Sequence, residues 1–378
     1  MKAGIYDPYL DTLGGGERYC LTVAEILIKN GHEVDLFWSG DKNLLQKAQD
    51  RFSLNLEHLN IVSDIFGSSP RHLEFIEDQE IFNHPTKTIT QKLLKRYQTL
   101  KDYDFFFYVS DGSIPFLFSK TNLLHFQVPF KESFKFHQKI INNLKSKFIR
   151  NVVCNSNFTA RFIKQYFNHN LAVLYPPVDV DKFNPGQKRN VILSVGRFDN
   201  ILNAKKQDIL IKAFKKLSKK LPGWKLILAG GSQKDPQDNS FLKELIKLSQ
   251  GFPIEIYVNP SFSDLKNLYS TAKIYWHAAG YAVNENLHPE STEHFGISVV
   301  EAMASGCVPF VVNKGGLPEI ITDGTDGFLW HTPKELISKT QNVVNNHQLL
   351  SQLSQNAQAK SAIFSKKQFE NKLLKIIL

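Results

Sequence analysis

Two glutamates eight residues apart, Glu293 and Glu301, bracket the segment Glu293-His294-Phe295-Gly296-Ile297-Ser298-Val299-Val300-Glu301, a polar loop running into an apolar helical pattern. At roughly 1.5 Å of rise per helical residue, such a pair reaches different parts of one extended ligand. The N–H groups of Gly296, Ile297 and Ser298, at the helix start, lack intrahelical partners and face negative charge. Phosphate oxygens and sugar hydroxyls are natural occupants of that arrangement. The same pair also has a purely structural reading, with Glu293 as a cap and Glu301 as half of a surface ion pair.

Other chemistry-bearing residues lie where strands give way to loops. Arg197 directly follows an apolar run, and Lys206 ends the next loop just before a helical pattern, with Lys205 beside it. Both places lie on the carboxyl edge of a parallel sheet, where ligands bind. Gly14, Gly15 and Gly16 give backbone that a diphosphate or sugar can approach closely, although a tight turn has the same composition and the full dinucleotide fingerprint is missing. His125 ends a strand-like run, either as a site group or as a packed structural histidine. Asp179-Val180-Asp181 follows Pro176-Pro177 in a connection and reads as a hinge and cap element, not as a metal-carrying pair.

The elements that must position these residues alternate between strand and helix. Lys2 to Tyr6 reads as a buried strand, then a loop from Asp11 to Gly16, a helix from Tyr19 to Ile28, and a strand from Glu33 to Trp38. Phe105 to Val109, Asn122 to Phe126 and Val152 to Asn155 continue the series. After the turn-rich Asn184-Pro185-Gly186-Gln187 a second opening begins, with strand Val191 to Val195 and helix Gln207 to Leu217. Lys225 to Ala229, Ile254 to Val258, Ile274 to His277 and Val308 to Val312 are its later strands. The expected fold is α/β, with two Rossmann-like domains facing each other across a cleft. Residues 1–184 form the first and 185–360 the second, and an amphipathic helix within 361–378 packs back onto the first.

The chain has 378 residues, more than one hydrophobic core usually serves. No stretch approaches the roughly 18 uninterrupted apolar residues of a bilayer span, and Met1 runs straight into a strand pattern with no leader-like h-region. The expectation is a cytoplasmic protein, peripheral at most. Cys20, Cys154 and Cys307 lie far apart and support neither a disulfide framework nor a zinc site. The formal charge of +10 concentrates in three runs, around Lys87 to Lys101, Lys135 to Arg150 and Lys205 to Lys225. Such runs meet anionic lipid, an anionic acceptor or nucleic acid, or are simply solvated helix faces. No helix-turn-helix or aromatic RNA motif favours nucleic acid.

The Glu-x7-Glu element, together with Val195-Gly196-Arg197-Phe198-Asp199, Leu228-Ala229-Gly230-Gly231 and Gly315-Gly316-Leu317-Pro318-Glu319, resembles the retaining GT-B glycosyltransferases of family four. The order matches and covers essentially the whole chain. The form Glu-His-Phe-Gly-Ile, after Trp276-His277-Ala278-Ala279-Gly280-Tyr281, is most similar to mannosyltransferases that elongate lipid-linked oligosaccharides.

The resemblance implies an enzyme that moves a hexose, best taken as mannose, from a nucleotide diphosphate sugar such as GDP-mannose to an acceptor hydroxyl, with retention and no metal or other cofactor. Glu301 then bonds the donor's ribose, Glu293 sits beside the transferred sugar, and Arg197 and Lys206 stabilise charge on the departing diphosphate. Gly15, Gly16, Val258, Phe295, Gly296, Ile297, Gly315 and Gly316 complete the donor site, and His125 faces the reacting sugar. The expected acceptor is a lipid-linked glycan or another membrane-surface molecule. A nucleotide-sugar epimerase of this architecture would instead need an acid–base pair, and its sugar would exchange with solvent deuterium.

Overall fold

A computed structural model describes residues 1–41, 43–67, 89–130, 136–167, 171–199, 205–232, 235 and 237–377, with the side chains of 89 and 136–139 excepted. Lys87, Lys135, the side chain of Lys139 and most of the loop before Lys205 therefore lie outside the described residues. The chain divides into two compact units. One contains Met1–Asn155, Thr159–Leu174 and Glu370–Leu378, and the other contains Ser156–Phe158 and Tyr175–Phe369. The division thus falls after Leu174, ten residues before the turn-rich segment, because residues from Tyr175 to Asn184 pack with the second core.

The first unit is built on strands β1 (Lys2–Tyr6), β2 (Glu33–Phe37), β3 (Leu59–Val62), β4 (Phe105–Val109), β5 (Thr121–Phe126), β6 (Asn151–Cys154) and β7 (Leu171–Val173). Their order is β3-β2-β1-β4-β5-β6-β7, and every pair is parallel. Central β4, Phe-Phe-Phe-Tyr-Val, is buried at all five positions, as a parallel strand covered on both faces must be. Helices α1 (Gly15–Lys29), α2 (Asn43–Phe52), α3 (Ile89–Leu100), α4 (Phe136–Ser146) and α5 (Asn157–Ile163) fall between the strands.

Strands β8 (Arg189–Val195), β9 (Lys225–Gly230), β10 (Ile254–Val258), β11 (Ala272–His277), β12 (Val308–Val312) and β13 (Phe328–Trp330) form the second sheet, in the order β10-β9-β8-β11-β12-β13. Between them run α6 (Gln207–Leu217), α7 (Ser240–Ser249), α8 (Phe262–Thr271), α9 (Ile297–Ala304) and α10 (Leu317–Ile320), and α11 (Pro333–Val344), α12 (His347–Ser361) and α13 (Lys366–Ile377) close the chain. Helix starts follow local capping. Asn239, Ser261 and Thr332 each accept an N–H from the first turn of the helix that follows.

Both sheets reverse their winding beside their first strand, between β1 and β4 and between β8 and β11. Loops leaving the carboxyl ends of β8 and β11 diverge there and leave a crevice. In the second unit, those two loops carry Arg197 and Glu293.

Candidate active site

The site is clearest in the second unit. Lys205 Nζ lies 2.6 Å from Glu293 Oε2, and His277 Nε2 lies 2.8 Å from the same oxygen. His277 is the last residue of β11, Glu293 sits in the loop before α9, and Lys205 precedes α6. The crevice at the β8–β11 reversal therefore gathers a cation, a carboxylate and an imidazole on one oxygen atom.

Burial pushes the Glu293 carboxyl up, but the Lys205 ammonium and the His277 hydrogen bond outweigh it and hold the group well below the usual carboxylate range. Glu293 is an anion. Burial lowers His277, and the charge of Lys205 lowers it further against the pull of Glu293. The ring is thus neutral and donates its Nε2 proton to Glu293, since a second cation on the same carboxylate would repel Lys205.

Lys205, not Lys206, is the lysine brought to Glu293. Lys206 adopts a left-handed conformation, φ 55°, as the residue before α6. That turn redirects the chain and gives the inward direction to its neighbour. The methylenes of Lys205 lie across Gly196, where an added Cβ would meet Cγ of Lys205 at 2.6 Å. The glycine of Val195-Gly196-Arg197 therefore makes room for the lysine that follows the loop.

Arg197 leaves β8 as expected, but its Nε pairs with Asp199 Oδ2 at 3.4 Å and its side chain is 57% exposed. Its backbone is better fixed, because Gln207 Nε2 donates to the Arg197 carbonyl at 2.9 Å. The guanidinium is thus exposed beside the crevice while its backbone is fixed.

Helix α9 is apolar almost throughout and buried, with Glu301 as its single charged residue. A carboxylate buried in such a helix is costly unless bonded. Tyr269 donates its hydroxyl to Glu301 Oε2 at 3.0 Å. One turn earlier, Ser298 Oγ accepts from the Tyr275 hydroxyl at 2.9 Å. Gly296, at φ 119°, caps the helix and accepts the Val299 N–H at 3.0 Å, while the Ile297 and Ser298 amides at the helix start have no intrahelical partner.

Gly315 and Gly316 press their backbone against Glu293 and His294. An added Cβ would lie 2.1 Å from the Glu293 carbonyl at Gly315 and 2.3 Å from the His294 carbonyl at Gly316. Gly316 N–H donates to the Glu293 carbonyl at 2.8 Å, and Gly315 N–H donates to Glu285 Oε2 at 3.0 Å. The two glycines hold the Glu293 loop from behind.

Four expected site residues lie differently from the sequence reading. The Phe295 side chain is core, stacked on Tyr175 at 5.5 Å and edge-on to Phe364 at 5.4 Å, so only its backbone is available to a ligand. His125 is fully buried in the first unit, stacked on Tyr19 at 4.1 Å and with Phe107 at 5.5 Å. Its Nδ1 proton goes to the Val153 carbonyl, and burial lowers the ring to about 3, which makes it a neutral stacking residue without an exposed surface. Gly15 and Gly16 do not form a loop, since α1 begins with them and Gly14 caps it. Close packing explains Gly16, whose added Cβ would strike Gln127 Oε1.

Val258 ends β10, and the next residue, Asn259, accepts the Ser232 N–H through Oδ1 at 2.8 Å. Ile297 packs partly on the second core. Glu319 is engaged by the Asn157 and Phe158 amides at 2.8 and 2.6 Å and by the Tyr175 hydroxyl at 3.1 Å. Asp179 pairs with Lys182 at 3.0 Å and precedes the short turn Val180–Lys182, but its side chain makes no cap hydrogen bond there, so the expected cap role is not what it performs. Sequence reasoning missed His277 as a site residue; its signal was a histidine ending an apolar strand beside the first strand of its sheet. It also missed Asp7, buried in the first unit with Oδ2 unbonded among the described residues.

Comparison with known proteins agrees with this architecture. The model for Glycosyltransferase Family 4 matches residues 13–182, and that for Glycosyl transferases group 1 matches residues 178–360. A Dictyostelium discoideum GDP-Man:Man(3)GlcNAc(2)-PP-Dol alpha-1,2-mannosyltransferase is 28% identical over 260 residues, 63% of this chain and 48% of that protein. The chain thus spans about half the length of that curated relative. A glycosyltransferase from Rickettsia africae has the same fold, with a TM-score of 0.73 and 20% identity over 100% of this chain and 97% of that one. Anabaena HepE, solved with UDP and glucose, gives 0.69 and 20% over 99% and 98%. All three share the two-Rossmann GT-B class of fold or its sequence signature, and with family models for both halves in the right order, this chain belongs to the family 4, group 1 glycosyltransferases.

Proposed function

We propose that this protein transfers a hexose from a nucleotide diphosphate sugar to an acceptor hydroxyl, with retention of anomeric configuration and without a metal ion. The observation that carries the reading is the anionic Glu293, bonded by Lys205 and His277, eight residues before a buried Glu301 on the same loop–helix element. Glu301 bonds the donor ribose, while the first-turn amides of α9 receive diphosphate oxygens.

Glu293, Lys205 and Arg197 then act at the reacting end. The C1–oxygen bond to the diphosphate breaks as the acceptor oxygen attacks from the same face, and the acceptor proton passes to the departing phosphate. Negative charge builds on that phosphate, and fixed cations stabilise it more than they stabilise the intact donor. Lys205 is paired with Glu293 before the donor arrives, so its direction is set in advance. Arg197, exposed and paired with Asp199 among the described residues, is the cation that moves onto the diphosphate.

GDP-mannose is the proposed donor and a lipid-linked glycan the proposed acceptor, supported by what the Dictyostelium relative is named for. A thermal-shift panel of nucleotide sugars tests the donor, because a ligand that binds only the folded state stabilises it by mass action. GDP-mannose is expected to raise Tm more than UDP-glucose does. NMR of the product tests the stereochemistry, with an α-linked sugar expected from an α-linked donor. An inverted product, or deuterium incorporated from solvent into the sugar, would refute retention and transfer respectively.

A further inference from the structure

The first unit presents a face that is both greasy and basic. Leu94 and Tyr97 on α3, Ile140, Ile141 and Leu144 on α4, and Phe148 just beyond it are each between 43% and 56% exposed. Successive residues of a helix turn by about 100°, so positions 140, 141 and 144 share one side of α4.

Aromatic contacts join the two helices' exposed sides into one surface. Tyr97 meets Phe118 edge-on at 5.5 Å, and Phe118 meets Phe148 edge-on at 5.8 Å. Lys145 Nζ lies 5.5 Å over the Phe116 ring, and Phe116 in turn lies 6.2 Å from Phe148. Arg96 is near enough to Lys145 to help burial lower that ammonium.

The described residues of α3, and those from the exposed part of α4 onward to Lys164, carry charge of one sign. Among the described residues, 90–101 contain Lys92, Lys95, Arg96 and Lys101 and no acid, and 140–164 contain Lys145, Lys147, Arg150, Arg161 and Lys164 and no acid. Soluble proteins rarely gather so many exposed aliphatic and aromatic side chains in one place unless something covers them. A cation-rich rim with an aliphatic centre complements an anionic bilayer, whose headgroups take the lysines and whose acyl boundary takes Ile, Leu and Phe. Nucleic acid would use the cations and rings but has no need of Ile140 or Leu144.

We propose that the face formed by α3, α4 and Phe148 docks on an anionic membrane surface. It brings the first unit to the plane in which a lipid-linked acceptor resides, yet rests on surface chemistry alone and does not depend on the donor reading.

Vesicle flotation of the full chain tests it, with phosphatidylcholine alone and with phosphatidylglycerol added. Two variants change only exposed positions, Ile140→Glu with Leu144→Glu, and Lys92→Glu with Lys147→Glu; an unchanged Tm shows that each is folded. Wild type is expected to float with anionic vesicles and not with neutral ones, each variant to lose about tenfold or more in partitioning, and salt to weaken wild-type binding. No flotation of wild type overturns the proposal. So does unaltered flotation of the aliphatic variant, or binding to single-stranded RNA that exceeds binding to vesicles. None of these readouts involves sugar transfer, so failure here leaves the catalytic reading standing, and the reverse holds too.

Discussion

Lys205 and His277 converge on a single oxygen of Glu293, at 2.6 and 2.8 Å, from the two strands that flank the reversal of the second sheet. One partner follows β8 and the other ends β11, so the carboxylate is clamped by both sides of the crevice. Its other oxygen receives no bond from the described residues, which is the acceptor that the proposed sugar hydroxyl would use.

Lys205→Ala is expected to lower kcat by about a hundredfold or more, the scale seen when a positioned charge-stabilising group is removed. Lys206→Ala should cost less than about threefold, since that residue serves a turn. Steady-state kinetics with the donor found by thermal shift decides between them. Equal losses would return the role to both lysines.

Arg197 and Glu301 should fail differently. Loss of Arg197 should reduce turnover with little change in donor affinity, whereas Glu301→Ala should weaken donor binding about tenfold or more, as expected for a lost hydrogen bond to a charged group. Calorimetric titration alongside kinetics separates the two. Unchanged kcat in Arg197→Ala would remove it from the reaction.

Donor affinity should stay level as pH falls from neutrality through the ordinary carboxylate range, because Glu293 keeps its charge there. Stability behaves otherwise. His277 is depressed below its ordinary 6.5, and burial also lowers His125 to about 3 and His294 to about 4. Below 6.5 the unfolded chain takes up protons that the folded chain refuses, so stability is present above that value and lost as pH falls beneath it. Glu293, depressed from 4.5, contributes stability above that value which is lost only at lower pH still. His277→Gln should shrink the fall of Tm between pH 7 and 5, with the other two rings carrying the remainder; an unaltered slope would mean His277 is charged in the fold.

Asp7 should show the opposite sign. Burial, reinforced by Glu17, raises its carboxyl to about 8, so the folded chain holds a proton that the unfolded chain releases from about 3.8 upward. Its effect costs nothing in acid and destabilises progressively as pH rises toward 8. Asp7→Asn should therefore gain Tm relative to wild type as pH rises from 5 to 8.5, by several degrees, roughly the shift that a 1 kcal/mol change gives in a domain of this size. A constant gap would show that Asp7 is ionised in the fold.

Apolar strands and strongly amphipathic helices were legible in the chain: β1, β4, β10, β12 and α6 lie where apolar runs and helical spacing put them. Strands β3, β7 and β13 have three or four residues, too few for periodicity to register. The start of α1 was misread because three consecutive glycines look like a loop, while Glu17 accepts the Gly14 amide and closes the first turn. The pair Glu293 and Glu301 was legible because an acid in an apolar helix stands out. The choice between Lys205 and Lys206 was not, since it depends on one left-handed residue, and neither was the full burial of His125 against Tyr19.

A crystal structure with the donor nucleotide bound tests the central claim most directly. The account predicts diphosphate density at the amino end of α9 within hydrogen-bonding reach of Ile297 and Ser298, the ribose on Glu301, and the sugar against Glu293 and Lys205. Donor density elsewhere, with the Lys205–Glu293–His277 cluster untouched, would contradict it.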